Sequence, residues 1–496
     1  MQLNYKAEAI QELLPSSHVN DASCTSPVLH FGVGAFHRAH QARALQNLID
    51  GSRVPQFEDW SITGVCILPQ DIKFVEEFKK QDCLYFLQSF SPEGDKNTKL
   101  ISAIREIFHT STDYEQVLER IAAACTKIIS FTITEGGYNV DFNKNTFIWE
   151  TPAVKADILR EGAPNTVFRI LAEGLKRRME GKSGPIVLMS CDNIQHNGDV
   201  LKLALLSFLD AFDSSMIPWV EGHVTFAKTM VDRITPAATE AQRKDFEQET
   251  GIRDNCLVVC ENYFQWIIEK HPSLSHLPLQ NMGAVLVDEV APYEKMKLRL
   301  LNGGHSLTGL LGYALGYDRI HTAIKDTRIN AIFRHYCFNE VIPMLDDITE
   351  VRYADYVQEL ISRFSNPMIN DSATRIISGS TDKLPKFIVP VIADQLKQDV
   401  PQITLGVLIL AAWYYYLDVE FNKNQMQDVI DTNKEILIDL FNRPGWDAVQ
   451  FADKAPVMDA WCNQPIVKEL FIRYTSILKD SGMAFMIEQL LKKIKI

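Results

Sequence analysis

Short apolar runs alternate with helical segments through the first 290 residues of the chain. Five of these runs hold mostly apolar or β-branched residues and have about the length of buried strands. They are Val28–Phe31, Ser61–Leu68, Lys127–Thr134, Pro185–Ser190 and Ala284–Val287. Runs of this kind separated by helices predict βαβ units, and therefore a parallel sheet in an α/β domain.

From Pro292 onward the pattern changes, because strand-like runs nearly vanish and long segments with helical spacing take their place. These segments are Tyr293–Gly312, Ile329–Leu345, Ala354–Phe364, Ile403–Leu417, Gln427–Phe441 and Pro465–Leu478. The change predicts an α/β domain over residues 1–290 and a mostly α-helical domain over residues 291–496. The most apolar segment, residues 403–417, is shorter than the ~20 residues that span a bilayer. We therefore expect a buried helix there.

Composition limits the class of protein. The chain has 496 residues, of which 46% are hydrophobic and 23% charged, as in ordinary globular proteins. At ~150 residues per domain, this length favours two or three domains. The net charge is −13 and the sequence pI is about 5.5, without basic clusters. Nucleic acids and anionic membranes are therefore not expected as partners.

The nine cysteines are scattered from Cys24 to Cys462. The closest two, Cys256 and Cys260, have three residues between them, and no CxxC pair occurs. A structural zinc site is not expected from this spacing. Reduced thiols in a cytoplasmic protein suit the pattern. Residues 1–15 lack a basic region followed by an apolar run, so no secretory signal is predicted there.

A Gly-x-Gly turn, formed by Gly32 and Gly34, directly follows the first predicted strand. In dinucleotide-binding domains the first glycine allows a tight turn and the second lets the pyrophosphate approach the backbone. The next helix then offers its N-terminal amides to the phosphates. His37 replaces the usual third glycine. The alternative is an ordinary tight turn that binds nothing.

Asp71 lies just past the second strand-like run. In NAD sites an acidic residue after the second strand accepts hydrogen bonds from the ribose hydroxyls and repels the 2′-phosphate of NADP. The distance from Gly34 exceeds the usual ~20 residues, and a polar loop over residues 51–59 accounts for the excess. The alternative is a solvated surface aspartate.

The segment from Tyr293 to His305 brings three polar groups together. At ~100° per residue, Asn302 lies about 140° from Lys297 and His305 about 80°, so all three line one side of an α-helix. Such groups on a half-buried face are costly without partners, which indicates a polar cavity. The alternative is an amphipathic helix with an exposed Lys297 and a core His305. Tyr293 and Lys297 also match the Tyr-x-x-x-Lys pair of short-chain dehydrogenases, but the chain length and the glycine turn do not, so we interpret this match as accidental.

Six segments in matching order carry a resemblance to a known family, the polyol-specific long-chain dehydrogenases or mannitol dehydrogenase family. They are Gly32–Gln41, Thr134–Tyr138, Ser190–Asn193, Met230–Pro236, Lys297–His305 and Arg363–Pro367. The resemblance extends from about residue 28 to beyond residue 410. It implies an NAD-dependent, metal-independent oxidoreductase with a Rossmann domain and a helical C-terminal domain. It also places Phe36, His37 and Arg38 in the cofactor-binding turn.

The resemblance further implies catalytic roles. Lys297 is the general acid/base, Asn193 and Asn302 polarise the reacting oxygen, and His305 and Asp232 orient the substrate. Without a metal, an amine whose pKa is lowered from ~10.4 by burial can take the hydroxyl proton. Neutral amide donors can stabilise partial negative charge on oxygen. The alternatives are a helix-capping Asn193 and a surface ion pair at Asp232.

Three further residues are implied to act on the substrate side. Arg375 and Lys383 match positions that contact the distal hydroxyls in mannitol 2-dehydrogenases, and Glu294 matches a carboxylate involved in proton passage. The alternative for Arg375 and Lys383 is a solvated loop.

The expected substrate is a small polyol or sugar acid. Arg375 and the segment Lys383–Pro390 resemble mannitol 2-dehydrogenases, which favours oxidation of mannitol to fructose. A fructuronate or tagaturonate reductase of the same family is the alternative. A non-catalytic sensor of NAD and sugar is a third hypothesis, which the presence of Lys297 and Asn302 disfavours. The resemblance favours a monomer.

Overall fold

A computed structural model describes residues 3, 26–51, 60–142, 144–455, 458 and 464–494. The predictions for the N-terminal residues 1–15, for Cys24 and Cys462, and for most of the polar loop at 51–59 lie outside these residues. The chain divides into two compact units. The N-terminal unit comprises Met1–Phe90 and Asp95–Ala291, and the C-terminal unit comprises Ser91–Gly94 and Pro292–Ile496.

The described part of the N-terminal unit contains fourteen strands in four sheets. The strands are β1 (Val28–Phe31), β2 (Ile62–Cys66), β3 (Tyr85–Phe90), β4 (Lys96–Ile101), β5 (Ile104–His109), β6 (Ile128–Phe131), β7 (Val140–Asp141), β8 (Thr146–Phe147), β9 (Ile186–Ser190), β10 (Val224–Ala227), β11 (Thr229–Asp232), β12 (Val258–Glu261), β13 (Gln265–Glu269) and β14 (Val285–Val287).

The central sheet has six strands in the order β10-β9-β6-β1-β2-β5, and every pair is parallel. The α/β fold with a parallel sheet is therefore confirmed, and the first four apolar runs form β1, β2, β6 and β9. The fifth run forms β14, which lies outside this sheet. It pairs with β13 in a separate sheet of order β11-β13-β14.

The described part of this unit contains ten α-helices. They are α1 (Ala35–Ala39), α2 (Gln41–Gly51), α3 (Ile72–Lys80), α4 (Tyr114–Ala122), α5 (Thr134–Gly137), α6 (Pro152–Ile158), α7 (Val167–Glu180), α8 (Asn197–Asp213), α9 (Ile217–His223) and α10 (Glu240–Thr250). Successive strand residues enter different cores: Ile128 joins one hydrophobic cluster, and Ile129 and Phe131 join another. Burial on both faces explains the continuous apolar runs in the sequence.

Arg178, near the end of α7, is fully buried. Its guanidinium donates only to backbone carbonyls, at 2.7–3.2 Å. The acceptors are Ile121, Ala123, Thr126, Ser183, Gly184 and Pro185. The side chain thus fastens α7 to the turns that precede β6 and β9.

The C-terminal unit is helical, as the sequence predicts. Its α-helices are α11 (Ala291–Met296), α12 (Gly303–Ala314), α13 (Ile320–Ala323), α14 (Thr327–His335), α15 (Tyr353–Phe364), α16 (Ala373–Ile377), α17 (Ser380–Phe387), α18 (Val389–Gln395), α19 (Thr404–Asn422), α20 (Lys434–Phe441), α21 (Ala448–Lys454) and α22 (Pro465–Ile494). The last of these, α22, is interrupted by a kink at Gly482, whose φ of +78° and ψ of 172° are not helical. The single helix expected over 427–441 is wrong, because a 3₁₀ turn (Met426–Asp428) ends before α20 begins.

Two predicted helices contain π-helical turns. The first π turn, Lys297–Asn302, joins α11 to α12, and the second π turn, Tyr336–Val341, follows α14. A π turn closes hydrogen bonds between residues i and i+5 instead of i and i+4, and such turns occur frequently at functional sites.

The predicted apolar helix is α19, which has 19 residues. By length and composition alone it could cross a membrane, and no other described helix could. Residues 405–413 are all buried within the unit, as expected for a core helix.

Candidate active site

The glycine turn is closed tightly at one end and open at the other. Gly32 has φ +93°, and a Cβ there would lie 2.1 Å from the carbonyl oxygen of Thr132, so only glycine fits. Gly34 is exposed, and a Cβ there would meet nothing nearer than 4.0 Å. Phe36 is half-buried against the ring of His40. The turn thus leaves the backbone at Gly34 accessible, which fits a bound dinucleotide.

His37 and Arg38 point into the N-terminal unit instead of toward a ligand. The ring of His37 is fully buried, stacks on His30 at 3.4 Å and lies 3.3 Å from Gln41 Oε1 through Nδ1. Burial lowers the pKa of His30 to about 3 and that of His37 well below its usual value. Arg38 is buried and donates to the carbonyl of Cys256. The cofactor-binding prediction for these two residues is therefore limited to their backbone.

Asp71 ends a 3₁₀ turn (Pro69–Asp71) after β2 and is half-buried. Partial burial raises the pKa of its carboxyl, and His109 opposes this rise. Because β1 and β2 are parallel neighbours, Asp71 and the glycine turn follow the same edge of the sheet. This is the arrangement in which an acidic residue binds the adenosine ribose.

Asp192 organises the loop after β6 at that same edge. Its carboxylate accepts hydrogen bonds from the backbone of Ile133 and Thr134, both at 2.9 Å, and from the Tyr138 hydroxyl at 2.7 Å. Burial raises the pKa of Asp192 to about 6. The carboxylate therefore fixes the loop beside Asn193, which is exposed.

The structure removes two alternatives. Asn193 does not cap α8, because His196 occupies the N-cap position. Asp232, the last residue of β11, is 4% exposed, so it does not form a surface ion pair. The adjacent Arg233 is also buried and donates to the carbonyl of Glu261 at 3.0 Å.

The Lys–Asn–His segment is helical, but the expected α-helical angle between Lys297 and Asn302 is wrong. These residues begin and end the first π turn, and its i to i+5 repeat brings them to the same side. Lys297 is 6% exposed, which excludes the exposed lysine of the amphipathic alternative. Asn302 is half-buried, and its Oδ1 is buried without a hydrogen-bond partner among the described residues.

His305 lies in the first turn of α12 and is 9% exposed. Its ring stacks on Phe364 at 4.4 Å, and its Nε2 is 3.8 Å from Asp371 Oδ2. Burial lowers the pKa of His305 to about 4, with Asp371 opposing. The imidazole is therefore neutral at pH 7 and can both donate and accept a hydrogen bond.

Arg375 and Lys383 lie in short helices, α16 and α17, so the loop of the alternative is wrong, although Arg375 is solvated as that alternative expects. Arg375 is exposed, and its Nε donates to Asp371 Oδ1 at 2.5 Å while Nη2 donates to Oδ2. Lys383 is half-buried and donates to the carbonyl of Ile376 at 3.0 Å. Asp371 is not among the predicted site residues, although its i, i+4 spacing from Arg375 is typical of a helical ion pair.

The remaining candidates lie in α11. Glu294 is 6% exposed. The Tyr293 hydroxyl donates to Glu350 at 3.3 Å, and burial raises the pKa of Tyr293. A tyrosine held in this way is not prepared for proton exchange beside Lys297, which agrees with an accidental Tyr-x-x-x-Lys match.

The described residues contain no group of three or more His, Cys, Asp or Glu that could hold a metal ion. The seven cysteines in the described ranges, Cys66, Cys83, Cys125, Cys191, Cys256, Cys260 and Cys337, are free thiols. Burial raises the pKa of most of them, for example that of Cys66 to about 12. Such thiols are poor nucleophiles and poor metal ligands at neutral pH.

Comparison with known families identifies both units. Residues 26–280 match the model of the mannitol dehydrogenase Rossmann domain, and residues 289–453 match that of the mannitol dehydrogenase C-terminal domain. The protein is therefore an oxidoreductase with a Rossmann-type N-terminal domain. More closely, the chain belongs to the mannitol dehydrogenase family, as its six motifs predict.

Individual relatives agree with this family. Mannitol dehydrogenase 2 of Saccharomyces cerevisiae is 36% identical over 391 residues, covering 79% of this chain and 77% of the relative. D-mannonate oxidoreductase of Escherichia coli is 34% identical over 414 residues, covering 82% and 83% of the two chains. The solved ternary complex of Pseudomonas fluorescens mannitol 2-dehydrogenase with NAD and D-mannitol superposes with a TM-score of 0.86 at 31% identity, covering 99% of this chain and 100% of that one.

Proposed function

We propose that this protein is an NAD-dependent polyol dehydrogenase that oxidises mannitol to fructose with Lys297 as general acid/base and without a metal. The observation that carries the proposal is the first π turn, which begins with a buried lysine and ends with an asparagine whose amide oxygen is buried without a described partner. The relatives named for mannitol support the choice of substrate.

Proton removal falls to Lys297. Burial favours the uncharged form of an amine, which is the form that can accept the hydroxyl proton. Bound NAD would supply the acceptor for the hydride that leaves the same carbon. Glu294, in the preceding α11, is the proposed outlet for the proton.

Charge on the reacting oxygen is stabilised by neutral donors in this proposal. The Asn302 amide offers N–H donors beside Lys297, and Asn193 of the N-terminal unit has the same proposed role. Neutral His305 orients the substrate through its ring nitrogens. Asp232 supports the substrate's hydrogen-bond network, and Arg375 and Lys383 bind the distal hydroxyls.

Cofactor binding is assigned to residues 1–290 and substrate binding to residues 291–496 in this proposal. The open backbone at Gly34 and the strain-free turn at Gly32 support a bound pyrophosphate. Asp71 would bind the ribose and exclude NADP. Replacement Asp71→Ala should therefore reduce the preference for NAD over NADP by at least about tenfold. An unchanged ratio of kcat/KM for the two cofactors would contradict this role.

The second candidate function is oxidation of a sugar acid. The relative named D-mannonate oxidoreductase favours it. The two functions share the fold and the lysine, and they differ in whether the substrate carries a carboxylate.

The test is NADH formation by the purified protein with NAD and, separately, mannitol, arabinitol, sorbitol and mannonate, each with a chelator present. Turnover of mannitol that the chelator does not reduce supports the proposal. Turnover of mannonate alone supports the second function, and loss of activity on chelation contradicts the metal-free reaction. Binding of NAD without turnover of any of the four favours the sensor hypothesis.

We also propose that the protein acts as a monomer in the cytoplasm. The free thiols among the described cysteines support a reducing compartment. Light scattering of the purified protein, with an expected mass near 56.3 kDa, tests the monomer.

A further inference from the structure

Asp371 lies between two helices, α13 and α16, and is hydrogen-bonded to the first through its backbone. Its carbonyl accepts a hydrogen bond from the backbone of Ile320 at 3.0 Å, and the next residue, Ser372, caps α16 by accepting from the backbone of Arg375 at 3.1 Å. Its side chain is only 6% exposed. The backbone on both sides of this buried carboxylate is therefore tied to neighbouring helices by hydrogen bonds.

This carboxylate occupies one side of the Arg375 guanidinium. It accepts from both Nε and Nη2, in the two-point geometry that gives the strongest arginine–carboxylate pairs. The Arg375 side chain is 55% exposed, so the paired guanidinium still presents its outer edge. Of its five N–H donors, about three remain for neutral oxygen acceptors.

Asp371 also acts on His305 together with three positively charged side chains, and its charge is opposite to theirs. Three cations, Arg363, Arg375 and Lys383, lower the pKa of His305, and Asp371 is the acid that raises it. If Asp371 lost its negative charge, it would no longer offset the positive charge of these three side chains.

We propose that Asp371 determines specificity: by pairing with Arg375 it makes the site favour a neutral polyol over a sugar acid. The inference rests on the proposed function, because it places Arg375 on the substrate. A substrate carboxylate would have to displace a carboxylate that is already held against the guanidinium, whereas a hydroxyl needs only a remaining N–H donor.

The test is Asp371→Asn, which keeps the size of the side chain and removes its charge. We expect the ratio of kcat/KM for mannonate to that for mannitol to rise at least about tenfold. This increase in the substrate ratio should be smaller at high salt, because salt screens the exposed contact between the mannonate carboxylate and Arg375. A purely structural role would reduce both substrates alike and would not produce this salt dependence.

Asp326→Asn is the matched control. Asp326 also makes a two-point pair, accepting from Arg328 Nε at 3.1 Å and Nη2 at 2.7 Å, and its side chain is 7% exposed. It should leave the substrate ratio unchanged. Asp371→Glu, which retains the charge, should stay within about threefold of the wild-type ratio. Thermal unfolding of each variant establishes that the compared proteins are folded.

A measurement on the unaltered protein keeps the inference testable if Asp371→Asn does not fold. Mannonate should inhibit mannitol oxidation only weakly, with an inhibition constant above the KM for mannitol. An unchanged ratio in a folded Asp371→Asn variant, or tight inhibition by mannonate, overturns the inference while mannitol oxidation still stands. If the wild-type protein oxidises mannonate but not mannitol, both the inference and the choice of a polyol substrate are overturned. If it oxidises neither compound, the proposed function itself is overturned.

Discussion

The two π turns of the C-terminal unit have the same backbone irregularity and use it differently. In the first π turn, Lys297 is buried and Asn302 has an amide oxygen without a described partner. In the second π turn, Glu340 accepts from the backbone amides of Leu405 and Gly406, at 2.6 and 2.8 Å, where α19 begins. The comparison teaches that backbone geometry alone does not identify a site. Each turn holds a buried polar atom without a described partner, at Asn302 and at the Tyr336 hydroxyl, but only in the second turn is the acid, Glu340, already used by the backbone of α19.

The second π turn is therefore a structural support for α19. Glu340 is fully buried, and burial raises its pKa to about 8. Its own carbonyl accepts from Gln395 at 2.7 Å. These bonds join three helical segments without leaving a free carboxylate for a ligand.

The largest expected difference between the turns is catalytic. Replacement Lys297→Ala should lower kcat about 10³-fold, because general acid–base catalysis contributes about 10²–10⁴. Steady-state kinetics on mannitol measures the loss. Lys295→Ala is the control, since Lys295 only pairs with Asp346 at 3.2 Å. Equal activity of the two variants would remove the catalytic role from the first π turn.

Asn302→Ala should lower kcat about 10²-fold, the effect of removing one donor to a developing charge. KM should change little if the amide acts mainly in the transition state. Asn422→Ala, at the exposed end of α19, serves as a control with no expected effect on kcat. A loss confined to KM would instead make Asn302 a binding residue.

The second π turn should respond to pH through stability. The folded protein keeps the Glu340 proton up to about pH 8, whereas the unfolded chain loses it near the ordinary value of 4.5. Stability from this proton is thus complete below pH 4.5 and is lost as the pH rises to about 8. Relative to the wild type, Glu340→Gln should gain about 3 kcal/mol between pH 6 and pH 9. Denaturant unfolding at the two pH values measures this, and parallel pH curves would contradict it.

The smallest effect is expected at Tyr336, which begins the second π turn. Its hydroxyl is buried without a hydrogen-bond partner among the described residues. Tyr336→Phe should leave the free energy of unfolding unchanged or raise it by up to about 1 kcal/mol.

The Tyr336 hydroxyl lies 3.1 Å from where a Cβ on Gly303 would be, next to the first π turn. A large loss of kcat without a loss of stability would show that the two turns are coupled.

The sequence predicts the parallel sheet because its strands are apolar on both faces. It misses β4, whose first three residues, Lys96, Asn97 and Thr98, are exposed and polar. It also misses the short strands β10 and β11, which are separated by a single residue. Such strands are specified by pairing partners far along the chain, and a local pattern does not reveal them.

The candidate site was likewise predicted only in part. Lys297, Asn302 and His305 were found because polar residues interrupt an apolar helical pattern. The π turn between them was missed, since no residue type in Lys297–Asn302 specifies an i to i+5 turn. His37 was expected in the cofactor turn because of the family resemblance, but its ring faces His30 inside the unit. A sequence motif gives the position of a residue along the chain but not the direction of its side chain.

The hydrogen bonds of Arg178 imply that α7 and the turns before β6 and β9 open together. Its guanidinium, carried by α7, donates to six carbonyls, one in α4 and five in the two turns, so no single strand end can separate while the others stay in place. Hydrogen exchange in α7 and in the turns before β6 and β9 would then require one shared opening event. These segments should form one slowly exchanging unit whose protection is lost together.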